Sequence, residues 1–156
     1  GVQTGNRIQL AGKGEVGPGG GPAGDLYVEI IENEHEFLIR DGDNLHLALS
    51  IPFTAAALGT QATIQTLDGD TKVEIKAGTQ SGSEIKLKNL GINHLRGHGR
   101  GDLIVHVEVI TPTKLNKEEE ALLIKLAELR GENGNSVKVI SDNGSLLNKI
   151  KGAFRF

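Results

Sequence analysis

The 156-residue chain has no cysteine, no methionine and no tryptophan, one tyrosine and only four phenylalanines. Without thiols it can make neither a disulfide nor a thiolate metal centre within this sequence. No apolar run approaches the roughly 18 residues of a membrane-spanning helix, and no signal peptide is visible at this N-terminus. A net charge of −3 supplies no basic field, which disfavours nucleic acid as a partner. Catalytic signatures are equally scarce. There is no Gly-x-Ser-x-Gly elbow, no carboxylate pair stands apart from ordinary turn acids, and Asp41-Gly42-Asp43 lacks the rest of a calcium loop. An enzyme needs polar groups converging on one pocket. The expectation is a binding or structural module with no catalytic residue, no metal and no cofactor in this piece.

What the chain does have is a repeat. Sliding it by 77 residues superposes Gly1–Val28 on Gly78–Val105 without a gap, with eleven identities in 28 positions. Gly-x-Gln-x-Gly, Ile-x-Leu and Gly-Asp-Leu-x-Val all recur at that single offset. Such periodicity precedes every other inference about fold, and it divides the chain into two units. The 33 residues Leu45–Ala77 read as strands that open the second unit, and nothing corresponds to them before Gly1. The first copy is therefore expected to be truncated at its N-terminus, and the sequence to be a fragment, consistent with a start on Gly and no Met. Hydrophobic content of 37% is low for a compact core, and 22 glycines and four prolines require many turns. Units this small are individually marginal, so dimerisation or a missing segment is expected to support them.

Along the chain, Arg7–Ala11 alternates as a half-buried strand does, with Ile8 and Leu10 on one face. Gly12–Gly24 is an irregular glycine-rich loop, and Asp25–Ile31 is a strand rich in β-formers. His35–Leu38 leads into the turn Asp41-Gly42-Asp43-Asn44. Leu45–Ile51 alternates again, Thr54–Leu58 gives a helical turn or two, and Asp68-Gly69 joins two strands in a tight hairpin. Glu84–Leu87 and Leu103–Ile110 are the second-copy strands. After Pro112 the pattern becomes helical. Asn116 caps Lys117–Arg130 with Glu119 as its reciprocal partner, Leu122, Leu126 and Leu129 share a face, and Gly131 ends the helix. Ser145–Phe156 sets Leu146, Leu147, Ile150 and Phe154 opposite Lys149, Lys151 and Arg155. The fold class is mainly β: two tandem β-sandwich-like domains followed by C-terminal helices. The boundaries are 1–38 for the truncated first domain, 39–112 for the second with its repeat unit 78–105, and 113–156 for a helical dimerisation tail.

Four motifs invite functional readings. Gly12-x-Gly14-x-x-Gly17 matches a dinucleotide fingerprint, but Pro18-Gly19-Gly20-Gly21-Pro22 follows where a helix must begin; it is a loop. Arg100-Gly101-Asp102 spells an adhesion tripeptide, yet the first copy has Ala23-Gly24-Asp25 there, so a turn glycine and a strand-opening aspartate explain it. His94 and His98 have the spacing of metal ligands on a helix but sit in a loop without a third ligand. Phe37, beside a polar turn at a strand end, either plugs its own small sheet or floors a groove for another chain's apolar side chain.

The succession GDLYVEI, His35 and Phe37, RDGDNL, IPF-x-x-AALG, TLDG, AGTQSG, GRGDL and TP-x-x-L resembles the C-terminal region of DnaJ-type co-chaperones through most of residues 1–129. The resemblance implies two similar β-sandwich-like domains that bind unfolded polypeptide for transfer to a DnaK-class chaperone, in the cytoplasm. It implies that Phe37, matched within His-x-Phe-x-x-Arg-Asp-Gly, floors the peptide groove, with Ile8 and Leu10 as neighbours. It also implies that the terminal helix makes a homodimer through Leu146, Leu147, Ile150 and Phe154; burial of one short helix barely offsets the cost of association, so the face of Leu122, Leu126 and Leu129 or the second β-unit is expected to receive it. No His-Pro-Asp of a J-domain occurs here, and the zinc module of one subtype would lie upstream of Gly1. Neither nucleic acid nor membrane is expected as a partner. The competing class is a structural or adhesion module of tandem β-domains.

Overall fold

The computed structural model describes residues 1–137. The chain divides into two compact units, Gly1–Thr111 and Pro112–Phe156. In the first, β1 (Arg7–Leu10) and β2 (Leu26–Glu29) form a two-stranded antiparallel ribbon. Next come β3 (Ile39–Asp41), β4 (Asn44–Pro52), helix α1 (Phe53–Leu58), β5 (Thr60–Thr66), β6 (Gly69–Ile75), β7 (Glu84–Leu87) and β8 (Leu103–Ile110). Strands β3, β4, β8 and β7 make one sheet in that order, and β5 and β6 make a separate hairpin. The architecture is mainly β, as the alternating patterns require.

The core follows from that alternation. Leu45, Leu47 and Ile51 of β4 and Leu103, Val105 and Val107 of β8 point inward. They pack with Ile64, Val73 and Ile75 of the hairpin and Ala56 of α1. The four-stranded sheet and the hairpin are thus two layers over one apolar interior. β4 pairs with β8 in parallel, Leu45 opposite Leu103. Antiparallel neighbours need only a hairpin, whereas this parallel pairing spends α1, β5, β6 and β7 on the crossover.

The repeat is a repeat of structure. In β1–β2, Arg7 faces Glu29 and Leu10 faces Leu26; in β7–β8, Glu84 faces His106 and Leu87 faces Leu103, each pair displaced by 77 residues. The glycine loops close alike, by the bridges Val16–Ala23 and Asn93–Arg100.

Several local expectations are refined. The hairpin expected at Asp68-Gly69 turns on Leu67-Asp68, with Gly69 beyond them at φ 105, the arrangement of a turn followed by a glycine in positive φ. The strand expected over Asp25–Ile31 is only Leu26–Glu29, and β3 is a strand where only an approach to a turn was expected. Phe37 is not at a strand end; it lies in a bend of the connection between β2 and β3.

In the second unit, α2 (Lys117–Arg130) has the expected capping box between Asn116 and Glu119 and ends at Gly131 in the left-handed conformation. Glu118, Glu119 and Glu120 occupy its first turn and Arg130 its last, favourable placements in the helix dipole. The tail residues Leu146, Leu147, Ile150 and Phe154 lie outside the described residues.

Candidate functional site

After β2 the chain runs through Glu32, Asn33 and Glu34 without pairing as a strand. His35 then organises the local backbone. Its Nδ1 accepts the N–H of Phe37 at 3.4 Å and that of Leu38 at 3.3 Å. The His35 ring also meets the Phe37 ring edge-on, centroids 4.6 Å apart at 90°, a favoured geometry for paired rings. The bend separates two neighbouring apolar residues. Leu38 is buried in the core, while Phe37 stays 36% exposed.

Ile8 and Leu10 lie on one face of the β1–β2 ribbon, opposite Val28 and Leu26. All four are between 39% and 44% exposed. Their counterparts 77 residues on behave differently: Leu103 and Val105 are fully buried, and Ile85 and Leu87 pack against the core. The same residue types in the same register therefore present a half-covered apolar face in the first copy and a covered one in the second. β2 pairs only with β1, whereas β8 sits between β7 and β4. An unpaired strand edge carries free N–H and C=O groups that accept another strand. Ile8 and Leu10 belong to the ribbon and Phe37 to the connection after it.

A cleft of about 590 Å³ opens beside this connection. Leu38, Ile39, Leu45, Leu67 and Ile92 supply its apolar lining, and Thr4, Glu32, Asn33, Glu34, His35 and Arg40 its polar lining. Arg40 is the hub. It donates to Gly42 O at 2.8 Å, Val2 O at 2.8 Å, Glu32 Oε1 at 3.0 Å and Gly1 O at 3.4 Å. No local pattern marks this cleft, because its lining comes from segments as far apart as Thr4 and Ile92.

The remaining motifs are accounted for structurally. The Arg100 guanidinium donates to Asp68 and twice to Gly91 O, Gly101 is buried, and Asp102 accepts the Asn89 N–H and pairs with Lys86. The tripeptide is held within the fold at both charged ends, which removes the observation behind an adhesion reading. His94 Nδ1 contacts Asp43 Oδ2 at 2.7 Å, tying the second glycine loop to the β3–β4 turn. Among the described residues no three His, Cys, Asp or Glu side chains converge as metal ligands, and no helix is long and apolar enough to cross a membrane.

Residues 1–112 match the family model described as the DnaJ C terminal domain. The chain is 58% identical over 154 residues to "Chaperone protein DnaJ 2" of Streptomyces avermitilis, covering 99% of this chain and 41% of that protein. It is 47% identical over 165 residues to "Chaperone protein DnaJ 1" of Cutibacterium acnes, covering 99% and 42%. It is 45% identical over 159 residues to "Chaperone protein DnaJ 2" of Mycobacterium tuberculosis, covering 99% and 41%. The chain spans about two fifths of the length of these relatives.

Proposed function

The chain belongs to the DnaJ C-terminal domain family, and on that premise we propose that it binds unfolded or extended apolar polypeptide segments for transfer to a DnaK-class chaperone. The binding is non-covalent. An extended segment pairs with an open strand edge of the β1–β2 ribbon and places apolar side chains against Phe37, Ile8 and Leu10. Backbone hydrogen bonds supply affinity independent of sequence, and the apolar contacts select side chains, as in strand addition generally. The observation that carries this reading is the exposure of Ile8, Leu10, Leu26 and Val28 on a two-stranded ribbon whose outer edges pair with no other strand among the described residues. Phe37, held at the surface by His35, adds the aromatic contact that dominates such interfaces. Such binding draws on hydrogen bonds and apolar contacts alone.

We further propose a homodimer. Leu122 and Leu126 stand exposed on α2, a face that suits burial against a second copy together with Leu146, Leu147, Ile150 and Phe154 of the tail.

The test is light scattering from an aggregating client with the chain added and no ATP. Suppression of aggregation, reduced by Phe37→Ala, is the expected result. A chain that leaves aggregation unchanged does not bind unfolded polypeptide.

A further inference from the structure

We infer that the cleft between Leu38 and Ile92 is a second subsite, which takes an apolar side chain of a client segment and selects a Lys or Arg next to it. This inference rests on the peptide-binding reading but concerns residues that reading does not use. The floor is apolar and partly open: Leu38 and Leu45 are buried at its base, while Leu67 is 49% and Ile39 71% exposed at its sides. Its volume, about 590 Å³, lies within the range of small-ligand and side-chain pockets. β3, which contributes Ile39, is one of the two edge strands of its sheet, so a passing segment finds free backbone groups beside the cleft.

Charge then narrows the occupant. Residues 29–36 carry Glu29, Glu32, Glu34 and Glu36. Glu29 pairs with Arg7 and Glu32 with Arg40. Arg40, the cation that lines the cleft, is already committed to Glu32 and to the carbonyls of Gly1, Val2 and Gly42. Glu34, exposed at the cleft, has no ion-pair partner among the described residues, and neither has Glu36 two residues further along the chain. The uncompensated charge at the mouth is therefore negative. It attracts a cationic neighbour of the inserted side chain and repels an acidic one, which is how rim charges set selectivity.

The test uses the 156-residue chain and three fluorescent peptides that share one apolar centre flanked by Lys, Ser or Glu, with affinity read by anisotropy. The Lys-flanked peptide should bind at least about fivefold tighter than the Glu-flanked one, a difference that shrinks at about 0.5 M salt. Glu34→Gln should remove most of that preference, while Glu74→Gln, the same charge change at the far end of the β5–β6 hairpin from Leu67, should leave it. Leu67→Ser should weaken the Lys-flanked peptide. Equal binding of the three peptides, or a preference unaltered by Glu34→Gln and Leu67→Ser, overturns the subsite and leaves the Phe37 reading standing if Phe37→Ala still weakens all three. If no peptide binds the unsubstituted chain, the peptide-binding reading fails and the subsite fails with it.

Discussion

Asp25 and Asp102 make the same bond in the two copies: the Asp25 carboxylate accepts the Gly12 N–H at 2.9 Å, and the Asp102 carboxylate accepts the Asn89 N–H at 2.9 Å. Gly12 and Asn89 correspond at the offset of 77 and share a left-handed backbone, φ 67 and 59. The two residues differ chemically, but both types tolerate that conformation. The repeat thus preserves a backbone shape and its carboxylate clamp even where the residue changes.

Both carboxyl groups are held below the ordinary aspartate range. For Asp25 the main cause is the Gly12 N–H, then the Gln9 amide; for Asp102 it is the Lys86 ammonium, then the Asn89 N–H. A depressed folded-state pKa contributes stability above the unfolded value and loses it as pH falls through the folded value. Asp25→Asn and Asp102→Asn should therefore lower the urea midpoint at neutral pH and converge with the unsubstituted chain in acid. Because exposed ion pairs are screened, added salt should shrink the Asp102 effect more than the Asp25 effect. Urea titrations across pH and salt check both statements.

Gly24 and Gly101 are equivalent in sequence but not in space. A Cβ on Gly101 would stand 2.0 Å from Asp43 O, whereas one on Gly24 would meet nothing nearer than Glu15 O at 3.8 Å. Gly101→Ala should cost about 1–3 kcal/mol or more through forced displacement of the β3–β4 turn. Gly24→Ala should stay within about 0.5 kcal/mol. Chemical denaturation of the two variants gives the comparison directly.

Phe37→Ala should weaken an apolar peptide by roughly thirtyfold, the equivalent of about 2 kcal/mol for an aromatic hot spot. The circular dichroism spectrum should not change, since the ring is partly exposed and its neighbour Leu38 holds the core. Unchanged affinity in a folded variant would make Phe37 only a packing partner of His35.

Amide exchange should separate the two copies. Strand β8 is flanked on both sides and its inward residues are buried, whereas β2 has one neighbour and an exposed face. Amides of Leu26–Glu29 should exchange faster than those of Leu103–His106, because opening the ribbon exposes little additional apolar surface. Equal protection in a monomer would show that the ribbon is covered in solution.

Sedimentation of the whole chain and of a variant ending at Gly144 tests the homodimer. The whole chain should sediment as a dimer and the shortened one as a monomer. Leu122→Ser with Leu126→Ser should weaken the dimer if α2 shares the interface. Identical mass for the whole and shortened chains rejects the tail as a clasp.

Sequence alone determined whatever depends on neighbours along the chain. Glu84–Leu87 and Leu103–Ile110 are strands, and Lys117–Arg130 is a helix capped by Asn116 and Glu119, because alternation, capping and glycine stops act within a few residues. The offset of 77 also relates the two ribbons, Leu10 with Leu26 as Leu87 with Leu103, although the cross-strand register itself is a structural finding. Only the tertiary structure decided the burial of those ribbons. Leu10 and Leu87 are the same residue in the same register, yet one is 41% exposed and the other packs on the core formed by β4, β5, β6 and β8. The parallel pairing of β4 with β8, the division of Phe37 from Leu38 and the cleft between Leu38 and Ile92 belong to the same class. Each depends on which distant layer arrives to cover an apolar face, and no local periodicity encodes the identity of that layer.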